Sequence, residues 1–146
     1  MTFVTMREYS TLINAVKGFE GCRLYAYRDS KGVPTIGYGH TKGVMMGMAI
    51  TQKQADAWLA EDLDVAARQV DGLGLKLTQG QKDALTDFVF NLGIGKLKGS
   101  TLLRLIRSGA STERIQAEFG KWVYAGKTKL AGLVKRRKWE AQMWGM

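Results

Sequence analysis

Short capping sequences, each followed by apolar residues at helical spacing, are the feature that most limits how this chain can fold. A Ser or Thr with Glu or Gln three residues later is typical of a helix start, because each side chain bonds a free backbone N–H of the first turn. Such pairs occur at Thr5 and Glu8, at Thr51 and Gln54, and at Thr78 and Gln81. The chain is therefore predicted to be mostly helical.

The apolar spacing between these signals predicts where the helices run. After Thr51 the apolar residues mark one helical face over about four turns, which Gly72 and Gly74 end. Further helices are predicted after Thr78 as far as Gly93, after Ser100 as far as Gly109, and over residues 111–124 and 130–144.

Residues 24–40 form the one region without a helical pattern. The run Asp29-Ser30-Lys31-Gly32 separates LYAYR from VPTIGYG, which predicts a small β-hairpin or a three-stranded ribbon. Pro34 has no backbone N–H and is expected on an edge strand. No linker, charge block or repeat divides the chain. We therefore predict an α+β architecture, with a single mostly helical domain over residues 1–146 and a small N-terminal β subdomain at about residues 22–42.

Composition excludes several classes of protein. With one cysteine, Cys22, no disulfide can form within the chain, and with one histidine, His40, a zinc site of two or three His ligands cannot be built. No apolar run approaches the roughly 20 residues that span a bilayer, and no secretory signal is visible. The chain has 22 Lys and Arg against 13 Asp and Glu, a net charge of +9, which favours an anionic partner such as nucleic acid, a membrane face or a cell-wall polymer.

The first helix carries a carboxylate at the end of an apolar stripe. Tyr9, Ile13, Val16 and Glu20 follow one another at steps of four, three and four residues, so they share a helical face. Burial on that face and the negative end of the helix dipole would both favour the protonated form of Glu20, which a general acid needs near neutral pH. The alternative is a helix-end carboxylate that faces water or pairs with Arg23.

A second carboxylate, Asp29, lies nine residues beyond Glu20, and Thr35 follows six residues later. An Asp at the first position of a turn commonly bonds its own backbone, which is a structural role. Alternatively, Asp29 faces Glu20 across a cleft and acts on a water that the Thr35 hydroxyl also holds. Two carboxylates in unlike environments are what glycoside hydrolysis requires. The pattern by itself leaves both interpretations open.

Three separated segments carry a family resemblance, and the first is KGFEGCRLYAYRDSKGVPTIGYGHT at residues 17–41. It resembles glycoside hydrolase family 24, the phage-type lysozymes that include the lambdoid phage endolysins. The catalytic motif of that family is Glu, eight residues, Asp, five residues and Thr, and Glu20, Asp29 and Thr35 match it. The resemblance continues in FNLGIGKLKGSTLL and in WVYAGKTKLAGLVKRRKWEAQMW, so it covers most of the chain in the order of the family.

The resemblance implies a lysozyme-like fold and a muramidase that lyses the bacterial host. Such an enzyme hydrolyses the β-1,4 bond between N-acetylmuramic acid and N-acetylglucosamine in peptidoglycan. The resemblance also implies that Glu20 protonates the leaving oxygen, that Asp29 acts on the attacking water and that Thr35 positions this water. Phe90 and Asn91, at the start of the second segment, are implied to bind substrate. No cofactor or metal is implied.

The expected partners are bacterial peptidoglycan and anionic polymers of the cell envelope, with no nucleic acid and no membrane insertion. Some members of the family carry an N-terminal signal-anchor segment, which the sequence MTFVTMREYS does not resemble. We therefore expect a monomer that stays in the host cytoplasm until a separate holin perforates the membrane. It would then act on the cell wall in the periplasm.

Three other functions stay open as alternatives. A lytic transglycosylase uses a lone Glu and leaves anhydro ends, and the presence of Asp29 argues against it. A cationic module that binds wall or nucleic acid would account for the charge but not for the spacing of the two carboxylates. Amide cleavage by Cys22 and His40 is the third, although a buried structural cysteine and a hydrogen-bonded structural histidine are the commoner roles.

The C-terminal segment KTKLAGLVKRRKWEAQMW has a strong excess of basic residues. Most charge runs form the solvated face of a helix, and Leu130, Leu133, Val134 and Trp144 are available for packing. We expect a helix that docks by these apolar side chains and points its cations outward. There they would attract anionic wall polymers in a salt-sensitive way.

Overall fold

The computed structural model describes residues 10–146, and most of them are helical. The helices are α1 (Ser10–Glu20), α2 (Gln52–Asp71), α3 (Gln79–Leu92), α4 (Ile94–Lys98), α5 (Thr101–Arg107), α6 (Thr112–Phe119) and α7 (Ala131–Trp144). The strands are β1 (Arg23–Arg28), β2 (Pro34–Gly37), β3 (Tyr124–Ala125) and β4 (Thr128–Lys129). The predicted α+β class, mostly helical with a small antiparallel hairpin, is confirmed.

The chain divides into two compact units, and the boundary between Asp64 and Val65 falls within α2. The N-terminal unit holds α1, the β1–β2 hairpin and the first part of α2. The C-terminal unit holds the remaining helices and the β3–β4 hairpin. The single domain over residues 1–146 stays a prediction.

The N-terminal unit is built around the antiparallel β1–β2 hairpin. The paired residues are Arg23 with Gly37, Tyr27 with Thr35, and Arg28 with Pro34, with an irregularity between the first two pairs. A third segment contacts β1 only through an isolated bridge between residues 25 and 49, so the hairpin is two-stranded. The predicted apolar face of α1 is buried at Ile13 and Val16, whereas Tyr9 and the predicted pair Thr5 and Glu8 lie outside the described residues.

The C-terminal unit encloses an aromatic and aliphatic core. The ring of Phe88 packs edge-on against Phe119, with 6.1 Å between the ring centroids, and against Trp122 at 5.3 Å. Trp144 of α7 contacts the Phe119 ring at 6.0 Å and is buried as predicted, whereas Leu130, which was expected to pack with it, is 41% exposed. This clustering joins α3, α6 and α7 into one packed body.

The predicted helix caps form where the structure describes them. Thr78 and Gln81 make a complete capping box at the start of α3, and α3 ends at Gly93 as predicted. The Thr51 hydroxyl oxygen accepts a bond of 3.1 Å from the Gln54 N–H, and the Ser100 hydroxyl oxygen accepts one of 3.0 Å from the Leu103 N–H. These caps satisfy N–H groups that have no partner inside their own helices.

The predicted helix over residues 111–124 is wrong at its C-terminal end. α6 stops at Phe119, and the following residues turn and enter a small hairpin in which Tyr124 pairs with Lys129. The Leu130 N–H donates to the Val123 carbonyl at 3.0 Å and extends this ladder. The physical reason is local: a glycine follows Phe119, and Trp, Val and Tyr, which favour strands, come next.

The predicted outward direction of the α7 cations is also wrong for two of them. Arg136 and Arg137 are only 4% and 1% exposed, whereas Lys135 and Lys138 face solvent. The arginines are buried because acidic partners lie inside the C-terminal unit, at Asp87 of α3 and at Glu140 of α7 itself.

Candidate active site

Glu20 is the last residue of α1. The Gly21 N–H makes the last helical bond, to the Lys17 carbonyl at 3.0 Å, and the helix ends there because Gly21 has a left-handed φ of +64°. The Glu20 side chain is half-buried. Its carboxylate reaches the turn that follows β2, where Oε2 lies beside Gly39. The predicted acid therefore sits at the edge of the hairpin rather than out in solvent.

Asp29 opens the turn between β1 and β2, as the sequence predicted. Its Oδ1 accepts hydrogen bonds from the Lys31 N–H at 2.8 Å and from the Val33 N–H at 2.9 Å. The structural interpretation of this residue is thus correct for one carboxylate oxygen. Among the residues that the structure describes, none donates a hydrogen bond to Oδ2, so the turn fixes the carboxylate and leaves its other oxygen for a further donor.

Thr35 lies in β2 and is only 3% exposed. Its hydroxyl donates to the Val33 carbonyl at 2.9 Å. A hydroxyl has one hydrogen and two lone pairs, so with its hydrogen used in this way Thr35 can hold a water only as an acceptor. The side chain is therefore oriented by the backbone of its own strand.

Tyr27 lies in β1 of the same hairpin. It lies opposite Thr35 in the hairpin. Burial raises the pKa of the Tyr27 phenol, and the negative charges of Glu20 and Asp29 raise it further against the opposing effect of Arg23, whose guanidinium lies 4.4 Å from the centre of the Tyr27 ring. The β1–β2 hairpin thus carries Asp29 in its turn and Thr35 in β2, and the Glu20 carboxylate lies beside Gly39 of the turn that follows β2.

Tyr27 was not assigned a place in the site from the sequence. Its position two residues before Asp29 was the available signal. The turn residue Asp29 and the strand residue Tyr27 could have been placed together on that ground.

Cys22 and His40 do not form the alternative nucleophile–base pair. The Cys22 thiol donates to the Gln52 side-chain oxygen at 3.7 Å. His40 is held by other groups at both ring nitrogens: Nδ1 lies 2.7 Å from Asp62 Oδ2, and Nε2 lies 3.0 Å from the Lys42 carbonyl oxygen. His40 is a hydrogen-bonded structural residue, whereas Cys22 is only partly buried.

Phe90 and Asn91 lie near the end of α3 in the C-terminal unit, and both are half-buried. The Arg136 guanidinium stands 5.8 Å from the centre of the Phe90 ring. The Asn91 side-chain oxygen accepts a bond of 2.6 Å from Arg137 Nη2. These two residues are therefore held by the buried arginines of α7.

The buried arginines belong to an ionic cluster that the sequence argument missed. Arg136 donates hydrogen bonds to both carboxylate oxygens of Asp87. Arg137 Nε lies 2.9 Å from Glu140 Oε1. Burial, followed by the neighbouring Asp87, raises the pKa of Glu140 well above its usual range, and burial lowers the pKa of Arg137. Glu140 three residues after Arg137 was the available signal, since that spacing puts both on one side of a helix.

The described residues also limit what metal sites and membrane spans the chain can contain. Residues 10–146 contain no group of three or more His, Cys, Asp or Glu side chains that could hold a metal ion. No helix in this described part of the chain is long and apolar enough to cross a bilayer.

Comparison with known proteins identifies the family. A family model described as phage lysozyme matches residues 17–140. An endolysin of Acyrthosiphon pisum secondary endosymbiont phage 1 is 43% identical over 134 residues, covering 86% of this chain and 88% of that protein. The endolysin of Salmonella phage P22 is 38% identical over 139 residues, covering 91% of this chain and 94% of that protein.

Solved structures agree with these relatives. The muramidase domain of SpmX from Asticaccaulis excentricus superposes with a TM-score of 0.84 and 33% identity, covering 93% of this chain and 95% of that one. A crystal structure of a P22 lysozyme mutant superposes with a TM-score of 0.79 and 35% identity over 100% of both chains. From the family model, the relatives and the shared fold together, the chain belongs to the phage lysozyme family and is a glycosidase of the endolysin type.

Proposed function

We propose that this endolysin is a muramidase that hydrolyses the β-1,4 bond between N-acetylmuramic acid and N-acetylglucosamine in bacterial peptidoglycan, with Glu20 as the general acid. Asp29 acts on the attacking water and Thr35 positions it. The observation that carries this proposal is that one small hairpin holds Asp29 in its turn and Thr35 in β2, while Glu20 Oε2 lies beside Gly39 of the turn that follows β2. A structural relative named as a muramidase domain supports the substrate class.

The environments of the two carboxylates suit different roles. Glu20 is half-buried at the end of α1, and its Oε2 lies beside Gly39 of the turn that follows β2. Asp29 lies in the turn of the hairpin, where two backbone N–H groups bond one of its oxygens and fix the carboxylate. A protonated acid that gives its proton to the leaving oxygen, and an ionised base that accepts one from water, are the two parts that glycoside hydrolysis needs.

Thr35 suits the third role because its orientation is set within its own strand. With its hydrogen bonded to the Val33 carbonyl, the Thr35 oxygen offers lone pairs to a water hydrogen. The water would then give one hydrogen to Thr35 and the other to Asp29, which leaves an oxygen lone pair to attack the sugar carbon.

The test is product analysis of purified peptidoglycan digested in water enriched in heavy oxygen. Wild type, Glu20→Gln and Glu61→Gln are compared by mass spectrometry and by initial rate. Glu61 makes the same chemical change on an exposed position of α2 in the N-terminal unit and serves as the matched control. We expect labelled reducing muramic acid ends with wild type and Glu61→Gln, and a rate about 10²–10⁴-fold lower with Glu20→Gln, because general acid catalysis contributes that much.

Three outcomes would contradict the proposal. Anhydro ends would show that the enzyme is a transglycosylase, in which no water attacks and Asp29 therefore has no water to act on. Free peptides would move the chemistry to an amide bond. A Glu20→Gln variant as active as Glu61→Gln would show that Glu20 is not the acid.

We further propose that Phe90 and Asn91 bind substrate. Both side chains are half-buried, Arg136 lies against the Phe90 ring and Arg137 bonds the Asn91 oxygen, so a ring face and an amide NH2 group stay available to a sugar or peptide. Asn91→Ala is expected to raise KM several-fold with little change in kcat. The reason is that a contact that binds the substrate and the transition state equally lowers KM without changing kcat. Unchanged KM would remove this assignment.

We also propose that the enzyme acts as a monomer on the wall and reaches it from the host cytoplasm only after a holin has opened the membrane. The expected result is that cells expressing the chain alone keep growing, and that they lyse when a holin is co-expressed. Lysis without a holin would contradict the proposed route, and a dimer mass in sedimentation analysis would contradict the monomer.

A further inference from the structure

The Glu20 carboxylate lies unusually close to the backbone of the turn that follows β2. A Cβ atom added at Gly39 would stand 2.8 Å from Glu20 Oε2 and 3.3 Å from Glu20 Cδ. A methyl carbon cannot approach a carboxylate oxygen that closely, so any side chain at this position would displace the carboxylate or the turn. Only glycine admits the observed approach.

The turn that carries Gly39 is closed by its own hydrogen bonds. The Ile36 N–H donates to the His40 carbonyl and the His40 N–H donates to the Ile36 carbonyl, each at 2.9 Å. Gly39 has a φ of +77°, in the left-handed region. Because the two bonds fix the ends of the turn, the backbone beside the Glu20 carboxylate has little freedom to retreat.

His40 fixes the same turn from its other side. Its ring is stacked on Trp58 with 4.5 Å between the centroids, and Nδ1 lies 2.7 Å from Asp62 Oδ2. Both of these partners belong to α2, so the residue next to Gly39 is tied to a long helix. A methyl group added at Gly39 would therefore move the flexible carboxylate in preference to the anchored turn.

We propose that Gly39 is a positioning residue for the reaction, whose missing side chain leaves the space in which the Glu20 carboxylate is held against the anchored turn of residues 36–40. This inference rests on the proposed role of Glu20 as the acid. Because a displacement of about 1 Å can cost roughly 100-fold in rate, the space at Gly39 bears directly on turnover.

The test compares Gly39→Ala with Gly43→Ala. Gly43 is a matched control because it has a similar φ of +70° and no atom within 4 Å of an added Cβ, so it carries the same backbone strain without the contact. Melting temperature, kcat and KM are measured for both variants on purified peptidoglycan. We expect both to lose stability, and only Gly39→Ala to show a kcat about 10- to 100-fold lower with KM changed less than about twofold.

A purely structural glycine would give a different result. If the kcat of Gly39→Ala stays within about threefold of that of Gly43→Ala, the proposal is wrong. Glu20→Gln is assayed alongside: full activity of that variant would overturn the role of Glu20, and a kcat loss in Gly39→Ala would then have no bearing on acid positioning.

A second measurement applies if Gly39→Ala does not fold. In a Glu20→Ala background the contact is absent, so Gly39→Ala should then lower the melting temperature only as much as Gly43→Ala does in that same background. This result supports the contact independently of activity. If Gly39→Ala lowers the melting temperature more than Gly43→Ala does in the Glu20→Ala background, the proposal is wrong.

Discussion

The buried ion pair between Asp87 and Arg136 allows a sharp test of how burial sets the value of a salt bridge. Asp87 is fully buried and Arg136 is 4% exposed. The guanidinium binds the carboxylate at two points, Nη2 to Oδ1 at 2.7 Å and Nε to Oδ2 at 3.0 Å. The substitution Asp87→Asn keeps the shape of the side chain and removes its charge, so it leaves the arginine charge buried without its principal countercharge.

The expected loss of unfolding free energy is about 3–5 kcal/mol, the usual cost of removing one partner from a buried pair. At roughly 2–4 °C per kcal/mol for a chain of this size, the melting temperature should fall by about 6–20 °C. Glu140 moderates this loss. The Asp87 charge is one cause of its raised pKa, so without that charge Glu140 ionises more readily and replaces part of the lost countercharge. The loss of unfolding free energy should therefore lie toward the lower end of the range of about 3–5 kcal/mol.

A surface pair in the same unit serves as the control. Lys82 Nζ lies 2.8 Å from Asp71 Oδ1, nearly the same separation, but the side chains are 26% and 59% exposed. Asp71→Asn makes the same chemical change and should cost less than about 1 kcal/mol, because water already solvates both charges.

The assay is urea unfolding of the three proteins at one pH and salt concentration, followed by tryptophan fluorescence. Equal losses for Asp87→Asn and Asp71→Asn would refute the reasoning, since both burial and the two-point contact of Arg136 predict the larger loss for Asp87→Asn. As a further check, the double substitution Asp87→Leu with Arg136→Met should be more stable than Asp87→Asn alone, because it leaves no buried charge unpaired.

Two other predictions concern α3. Burial raises the pKa of Asp83 despite a hydrogen bond of 2.8 Å from Gln79. The stabilising contribution of Asp83 is therefore present below its ordinary pKa of 3.8 and is lost as the pH rises through the raised pKa. Asp83→Asn should melt higher than wild type at pH 7, with the difference vanishing toward pH 3.5, and a difference that does not depend on pH would contradict this. Thr78→Ala removes the hydroxyl that bonds the Gln81 N–H and the Met146 carbonyl, and should cost about 0.5–2 kcal/mol in urea unfolding, whereas Thr78→Ser should cost much less.

The sequence by itself determined the features that depend on neighbours a few residues apart. The capping box of Thr78 and Gln81 starts α3 as predicted, because both of its hydrogen bonds lie within one helical turn. The turn at Asp29 is equally local, since its carboxylate bonds residues only two and four positions away. The order of Glu20, Asp29 and Thr35 was likewise readable, and with it the resemblance that family comparison later confirmed.

Tertiary structure alone decided which charges are buried and where close approaches occur. Arg136 and Asp87 are 49 residues apart, so nothing near either residue indicates that they meet. The close approach of the Glu20 carboxylate to Gly39 joins residues 19 positions apart, and no short stretch of sequence specifies it. Local hydrogen bonds are specified by short stretches of sequence, whereas the burial of a charge depends on partners that only the folded chain brings together.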